Sequence, residues 1–568
     1  MNKVFSVTLS GLLLLNVLMN EGAQAASLPP PVSGNETASG IASELGNIAP
    51  PPPKNTGGLM LPAPQRASRA HFSSTGKGAF VLRSVQLEGS HVLVPLCATN
   101  LIQSVKNKMI DFQGVQALAG QLEDCYREAG YILNQVVIPP QKISQTEGRL
   151  LLKVVDGHLS GIEVVGDSPK GARKQLQRYL DQIQSMNPFN FKQTERYLLL
   201  ANDIPGLTVK GRLRADPAHP ATSILQVNVQ RKAYSGLLNV NNRGSQYIGP
   251  NQALAQVNFN DLLAADTLQL SVAKTLPHTE ELNYFAGSYA LQLGKEGTQL
   301  TASEIYTRTQ PGGGVYNSLG LEGTYNQVGL GVTQPLIRSL VQNLSVLANA
   351  YHTSNISSYT SVQAFNDQIT GLQVGANYQL LALGGSTQAQ GLVTQGLPFN
   401  GNQSNDPSRN NAVENFTHFN LTASHLRYLS QRFSTLLMAN AQYSADSLPV
   451  SEQLGYGGSL YGLAYQPSEL TGDSGIIGSA SLRYDLPLFS IFQQIQPFIS
   501  YDVGDLWTNS PAVGQNTSTS GSSAAFGFNL AFKGGFQGSI MLAKPLTTAP
   551  SNDTNKNLEC FFNLSWLF

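Results

Sequence analysis

Charge is scarce in this chain. Of 568 residues, 35 are Lys or Arg and 35 are Asp or Glu, which makes 12% charged and a formal net charge of zero. Soluble domains usually carry about 25%. A nucleic-acid binder needs a basic face, and none is available. After the first residues no stretch approaches the roughly 18 consecutive apolar residues of a membrane-crossing helix. Cysteine is limited to Cys97, Cys125 and Cys560. No H-E-x-x-H, G-x-S-x-G or P-loop pattern occurs, so no catalytic constellation, metal site or cofactor is expected. Of the eight histidines, His418 and His425 share a strand-like stretch, but seven residues apart they fall on opposite faces.

What is present is an apolar content of 41%, dispersed among Gly, Asn, Gln, Ser and Thr. The length predicts several units rather than one. Residues 1–25 read as a secretory signal peptide. Lys3 precedes an apolar run from Val4 to Met19, and Ala23 and Ala25 supply the small-residue cleavage site. Residues 26–78 are a Pro/Gly/Ser-rich linker unable to bury a core. Within it "SGIASELGNI" (Ser39–Ile48) offers a possible short plug helix with little apolar content. In an exported chain, Cys97 and Cys125 are disulfide candidates, with two buried free thiols as the alternative.

From Phe80 the texture becomes that of a folded module. "FVLRSVQLEG" is strand-like, and "NLIQSVKNKMI" sets Leu101, Val105 and Met109 at helical spacing. "GVQALAGQLEDCYREAGY" is a second helix, with Gly130 placed to end it. "LNQVVIPPQKI" and "GRLLLKVVDG" form a strand pair. The same order of strand, helix, helix, strand, strand recurs up to Lys232, so residues 79–157 and 158–232 are expected to be two copies of one α+β module.

Beyond residue 233 the helical period vanishes. "DTLQLSVAKT" alternates Leu268, Leu270 and Val272 with polar residues, and "NLSVLANAYH" and "SAAFGFNLAFKG" behave alike. The chain ends on "NLECFFNLSWLF", with Leu558, Cys560, Phe562, Leu564, Trp566 and Phe568 on one strand face. A sandwich also alternates, with its apolar face inward. More than 300 residues without a break into separate cores favour a membrane barrel, apolar outward and polar within. At roughly 40 residues per hairpin, that is about sixteen strands. The last strand then closes the barrel.

Two such modules before a barrel resemble the two-partner secretion transporters of the haemolysin and filamentous-haemagglutinin type. The resemblance covers about Phe80 to Phe568. It is carried by "YREAGYILNQVVIPPQKISQTEGRLLLKVVDG", "LGYGGSLYGLAYQPSELTGDSGIIGSASLRYDLP" and "PFISYDVGDLW". It implies two POTRA domains in the periplasm, with Tyr131, Pro140, Gln141, Ile143 and Gly148 of the first in substrate recognition. It also implies a barrel (233–568) in the outer membrane of a Gram-negative bacterium, with a loop (446–475) folded into the pore. The loop motif falls on Leu460, Tyr461, Gly462 and Leu463, followed by Gly472, Asp473 and Gly475, with Asp502 as partner on the barrel wall. The family's loop Arg is replaced here by Tyr461, whose hydroxyl is expected to reach Asp502. Trp566 and Phe568 resemble the terminal signal of barrel assembly.

The implied partners are a large secreted protein with an N-terminal secretion domain, outer-membrane lipid, the barrel-assembly machinery and periplasmic chaperones. Nucleic acid is not among them. The function the resemblance implies is passage of that secreted protein, with haemolysin-type activation as a further role in the family, and without enzymatic activity. A barrel-assembly factor of the same superfamily and a passive porin are the alternatives.

Overall fold

The computed structural model describes residues 38–48, 59–60, 79–144, 147–167, 169–219, 222–312, 320–360, 362–382, 384–398, 407–409, 411–487, 491–509, 517–550 and 555–568. The signal-peptide stretch and most of the linker lie outside these residues. The chain divides into two units, Asn55–Arg231 and a second comprising Met1–Lys54 with Lys232–Phe568.

Within the described residues, helix α1 (Ala38–Ile48) belongs to the barrel unit, and strand β1 (Leu59–Met60) begins the α+β unit. The first module runs β2 (Phe80–Val81), β3 (Ser84–Glu88), α2 (Leu96–Val105), β4 (Met109–Ile110), α3 (Phe112–Glu128), β5 (Gln135–Val137) and β6 (Arg149–Val155). Its main sheet has the order β3-β6-β5, parallel then antiparallel. The helix expected to reach Met109 stops at Val105. Asn107 takes φ of 62°, which turns the chain, and Met109 pairs with Val81 in a two-residue ladder. Helix α3 starts at Asp111, whose side chain accepts from the Gly114 N–H at 2.8 Å. Its apolar stripe of Val115, Leu118, Leu122 and Tyr126 is buried against Leu150, Leu152 and Val154 of β6. Cys97 on α2 is bonded to Cys125 on α3, with Cα atoms 5.6 Å apart.

The second module repeats this wiring with β7 (Leu159–Gly166), α4 (Arg173–Gln184), α5 (Phe191–Asn202), β8 (Leu207–Ala215) and β9 (Ser223–Arg231). Again the first strand is parallel to the third and the third antiparallel to the second. β1 adds a parallel pair to the outer edge of β8, Leu59 opposite Gly211 and Met60 opposite Arg212.

Sixteen antiparallel strands from Tyr234–Asn241 to Glu559–Leu567 close into a barrel, the first pairing with the last. Outward positions are apolar and exposed, as at Phe526, Ile540, Leu542, Phe562 and Leu564. Inward positions are polar and buried, as at Asn239, Gln252, Thr353, Gln373 and Ser523. That inversion of a soluble protein's pattern is what a lipid surround demands.

Candidate functional site: a filled barrel lumen

Two elements occupy the lumen. The first is α1, whose Ala38, Ile41, Ala42 and Leu45 are buried against Leu237, Leu254, Leu282, Tyr284 and Tyr325 of the wall. The second is the segment between the eleventh strand (Phe433–Ser444) and the twelfth (Ser474–Tyr484), which turns inward and carries a short antiparallel ladder, Leu454–Tyr456 with Leu470–Gly472. Its tip turns through Gly457, Gly458 and Gly462, with φ of 126°, 115° and 64°. A Cβ at Gly457 would stand 2.0 Å from the Gln466 carbonyl oxygen, so the tip tolerates no side chain there.

Asp502, on the thirteenth strand (Phe492–Trp507), is fully buried and grips this tip. It accepts from the Gly462 N–H at 3.0 Å, the Leu463 N–H at 3.4 Å, Ser523 Oγ at 2.8 Å and the Tyr456 hydroxyl. The hydroxyl contact expected from Tyr461 is thus made by Tyr456. The turn at Gly462 aims backbone N–H groups at the carboxylate and leaves the Tyr461 side chain in the apolar cluster of Leu454, Leu463, Leu506 and Ala525. Its hydroxyl has no hydrogen-bond partner among the described residues.

Sequence reasoning missed two clamps on the tip. Glu44 of α1 accepts from the Ser459 N–H at 3.1 Å, tying the helix to the loop. Arg243, just past the first barrel strand, donates from Nη1 to the Leu463 carbonyl at 2.7 Å, and its guanidinium carbon stands 4.1 Å from the centre of the Phe561 ring. Neither contact leaves a local signal, because the partners lie 415 and 220 residues apart.

Asp473 anchors the loop's other end. It accepts from Arg409 Nη1 and Nη2, the second at 3.2 Å, from the Leu448 N–H at 3.0 Å, Gln453 Nε2 at 3.1 Å and the Asn509 N–H at 2.6 Å. Glu452, also buried, accepts from the Tyr351 hydroxyl at 2.8 Å, with His418 Nε2 at 3.2 Å. Asp473 and Asp502 therefore work in separate networks. Gly472 packs on Trp507, where a Cβ would stand 2.8 Å from the carbonyl oxygen, and Gly475 on Leu506. Leu460 is half-buried beside the loop cluster.

In the first POTRA module the sequence-marked residues are mostly internal. Gln141 bonds both backbone groups of Leu151 in β6, donating from Nε2 to its carbonyl at 2.7 Å and accepting from its N–H at 2.9 Å. Tyr131 and Ile143 pack on the core. Gly148, with φ of 52°, has no room for a Cβ, which would stand 1.8 Å from the Val81 carbonyl oxygen. Pro140 is exposed.

The family described as "Haemolysin secretion/activation protein ShlB/FhaC/HecB" matches residues 221–530, over half the chain. The chain belongs to this family. A POTRA domain of the ShlB type matches residues 80–157. The protein is an outer-membrane translocator of two-partner secretion, with POTRA domains on the periplasmic side and a partner exoprotein as its cargo. Family members are transporters rather than enzymes. Similar curated proteins are the heme/hemopexin transporter protein HuxB of Haemophilus influenzae strain 86-028NP, 23% identical over 87% of this chain and 88% of that one, and the outer membrane transporter CdiB of Escherichia coli, 23% identical over 73% and 70%. CdiB structures from Escherichia coli and Acinetobacter baumannii share the fold, with TM-scores of 0.73 and 0.67 at 20% and 16% identity. Each covers 89% of this chain, and 94% and 93% of the respective structure.

Proposed function

We propose that the POTRA modules capture an unfolded exported partner through its N-terminal secretion domain, and that the partner crosses the lumen once α1 and the inner loop give way. The observation that carries this reading is how the lumen is filled. Its wall is polar, and the helix and the loop tip are held to each other and to the wall by hydrogen bonds, among them Ser459 to Glu44, Arg243 to Leu463 and Gly462 to Asp502. Such a filling can be displaced without unfolding the barrel. Strand addition to an open sheet edge would give capture with little sequence demand. The terminal Trp566 and Phe568 would be read by barrel-assembly machinery after delivery by periplasmic chaperones, and the apolar belt would face outer-membrane lipid.

A lock tests this. A Cβ on Gly323 would stand 3.4 Å from Ala38 Cβ, close to disulfide range. In an Ala38→Cys/Gly323→Cys variant, secretion of the cognate partner should stop under oxidising conditions and return on reduction. Secretion indifferent to the lock would show that α1 stays in the lumen during passage and would overturn this reading.

A further inference from the structure

Below the loop tip lies a lumen cavity of about 180 Å³, lined by Arg243, Arg483, Ser479, Ser481, Ser500 and Asn529 among others. Its described lining contains two guanidinium groups and no carboxylate. Arg243 donates from Nη1 to the Leu463 carbonyl and, weakly, from Nη2 to the Met541 sulfur at 3.8 Å. Arg483, near the end of the twelfth strand, is only 8% exposed, and its Nε has no acceptor among the described residues. Asp485, two residues along, attracts it at a distance but makes no ion pair with it, and accepts instead from Gln494 and Gln496. A buried guanidinium whose Nε lacks an acceptor is costly, and an anion entering the cavity would supply the missing acceptor. A guanidinium fork fits the two oxygens of a carboxylate, and neighbouring serine hydroxyls can donate to the same group.

The geometry points to a carboxylate-binding station on the translocation path. We propose that an acidic side chain of the polypeptide in transit docks against Arg483, with Arg243 beside it under the loop tip. The cavity has room for a carboxylate side chain. It also sits next to Arg243, whose guanidinium bonds the loop tip at Leu463. Docking there would draw Arg243 from the Leu463 carbonyl and loosen the tip as cargo arrives. This inference rests on the translocator reading.

The test is open-channel current through the full-length protein in planar bilayers. A short Gly/Asn/Asp peptide is added on the periplasmic side, and compared with the same peptide carrying Asn at every Asp. Blockades by the acidic peptide should last about tenfold longer, as expected for a charge-assisted hydrogen bond. Arg483→Gln should remove the difference and Arg483→Lys should keep part of it, with heat-modifiable migration confirming that both variants fold. Equal blockade by both peptides in the unaltered protein overturns the station but leaves the pore reading intact, as does a difference that survives Arg483→Gln. Absence of blockade by either peptide overturns both.

Discussion

At the scale of single residues, the loop is held by backbone and by Tyr456 rather than by Tyr461. Tyr456→Phe removes a donor to a buried carboxylate and should loosen the tip by about 1.5–3 kcal/mol. Faster amide exchange over residues 457–466 checks this. Tyr461→Phe should change little, since its hydroxyl has no partner among the described residues. Tyr461→Arg would bury a charge in an apolar cluster while Asp502 already has four donors, so loop protease sensitivity should rise rather than fall. The loop's strongest charge pairing is at its base, between Arg409 and Asp473, the latter fully buried. Arg409→Ala strands that carboxylate and should cost about 3–5 kcal/mol of loop anchoring, and a double-mutant cycle with Asp473→Asn should recover much of it. The family resemblance pointed to Asp502 as the loop's partner, and in the structure its carboxylate accepts from the Gly462 and Leu463 N–H groups. Which side chain makes the contact was not legible in the sequence, because it depends on the turn at Gly462 and on partners hundreds of residues away.

At the scale of elements, periodicity carried far. Period-two runs became barrel strands because one face meets lipid and the other the lumen, and both POTRA modules keep the expected order and wiring. Helix ends were less legible. α2 stops short of Met109 because a positive φ at Asn107 re-aims the chain, which no apolar spacing reveals. α1 looked too weakly apolar to be secure, yet a helix inside a polar pore needs only a narrow stripe. The α2–α3 disulfide spans 28 residues, so Cys97→Ser/Cys125→Ser should cost the first module about 3.5 kcal/mol in the chain-entropy account, seen as an earlier unfolding step. Asp156 supplies a pH dependence. Burial alone would push its carboxyl up, but hydrogen bonds from the His91 N–H, Ser90, the His91 ring and Asn134 outweigh this and hold it below the usual range. A depressed folded-state value gives stability that is present above the unfolded value near pH 4 and lost as pH falls through the folded one. Asp156→Asn should therefore lower the module's stability at neutral pH and flatten its decline below about pH 4, as read by amide exchange across β6.

At the scale of the whole barrel, the seam is its shortest ladder. The first and last strands pair over five residues, from Leu237 opposite Leu567 to Asn241 opposite Asn563, whereas the seventh and eighth pair over eighteen. Side chains supplement it. Asn239 Nδ2 donates to Asn563 Oδ1 at 2.6 Å and Ser565 Oγ at 2.8 Å, and Asn242 brackets the far end, accepting from the Phe562 N–H at 2.7 Å. Phe568 extends the ladder past the last paired residue, exchanging backbone bonds with Gly236 at 3.0 and 3.1 Å. Its ring lies where any Cβ on Gly236 would go, 2.2 Å from Cζ. The terminal aromatic is thus a structural closure as well as a candidate assembly signal, and two variants separate these roles. Deleting Phe568 removes both the closure and the terminus. Gly236→Val keeps the terminus and displaces the ring, so exchange at Leu237–Asn241 should quicken and the heat-resistant folded band should weaken. If Gly236→Val assembles and resists heat like the parent while the deletion fails, Phe568 acts only through the assembly machinery and the closure role is wrong. Equal impairment of both places the weakness in the ladder itself, where five paired residues leave the last ring to hold the barrel shut.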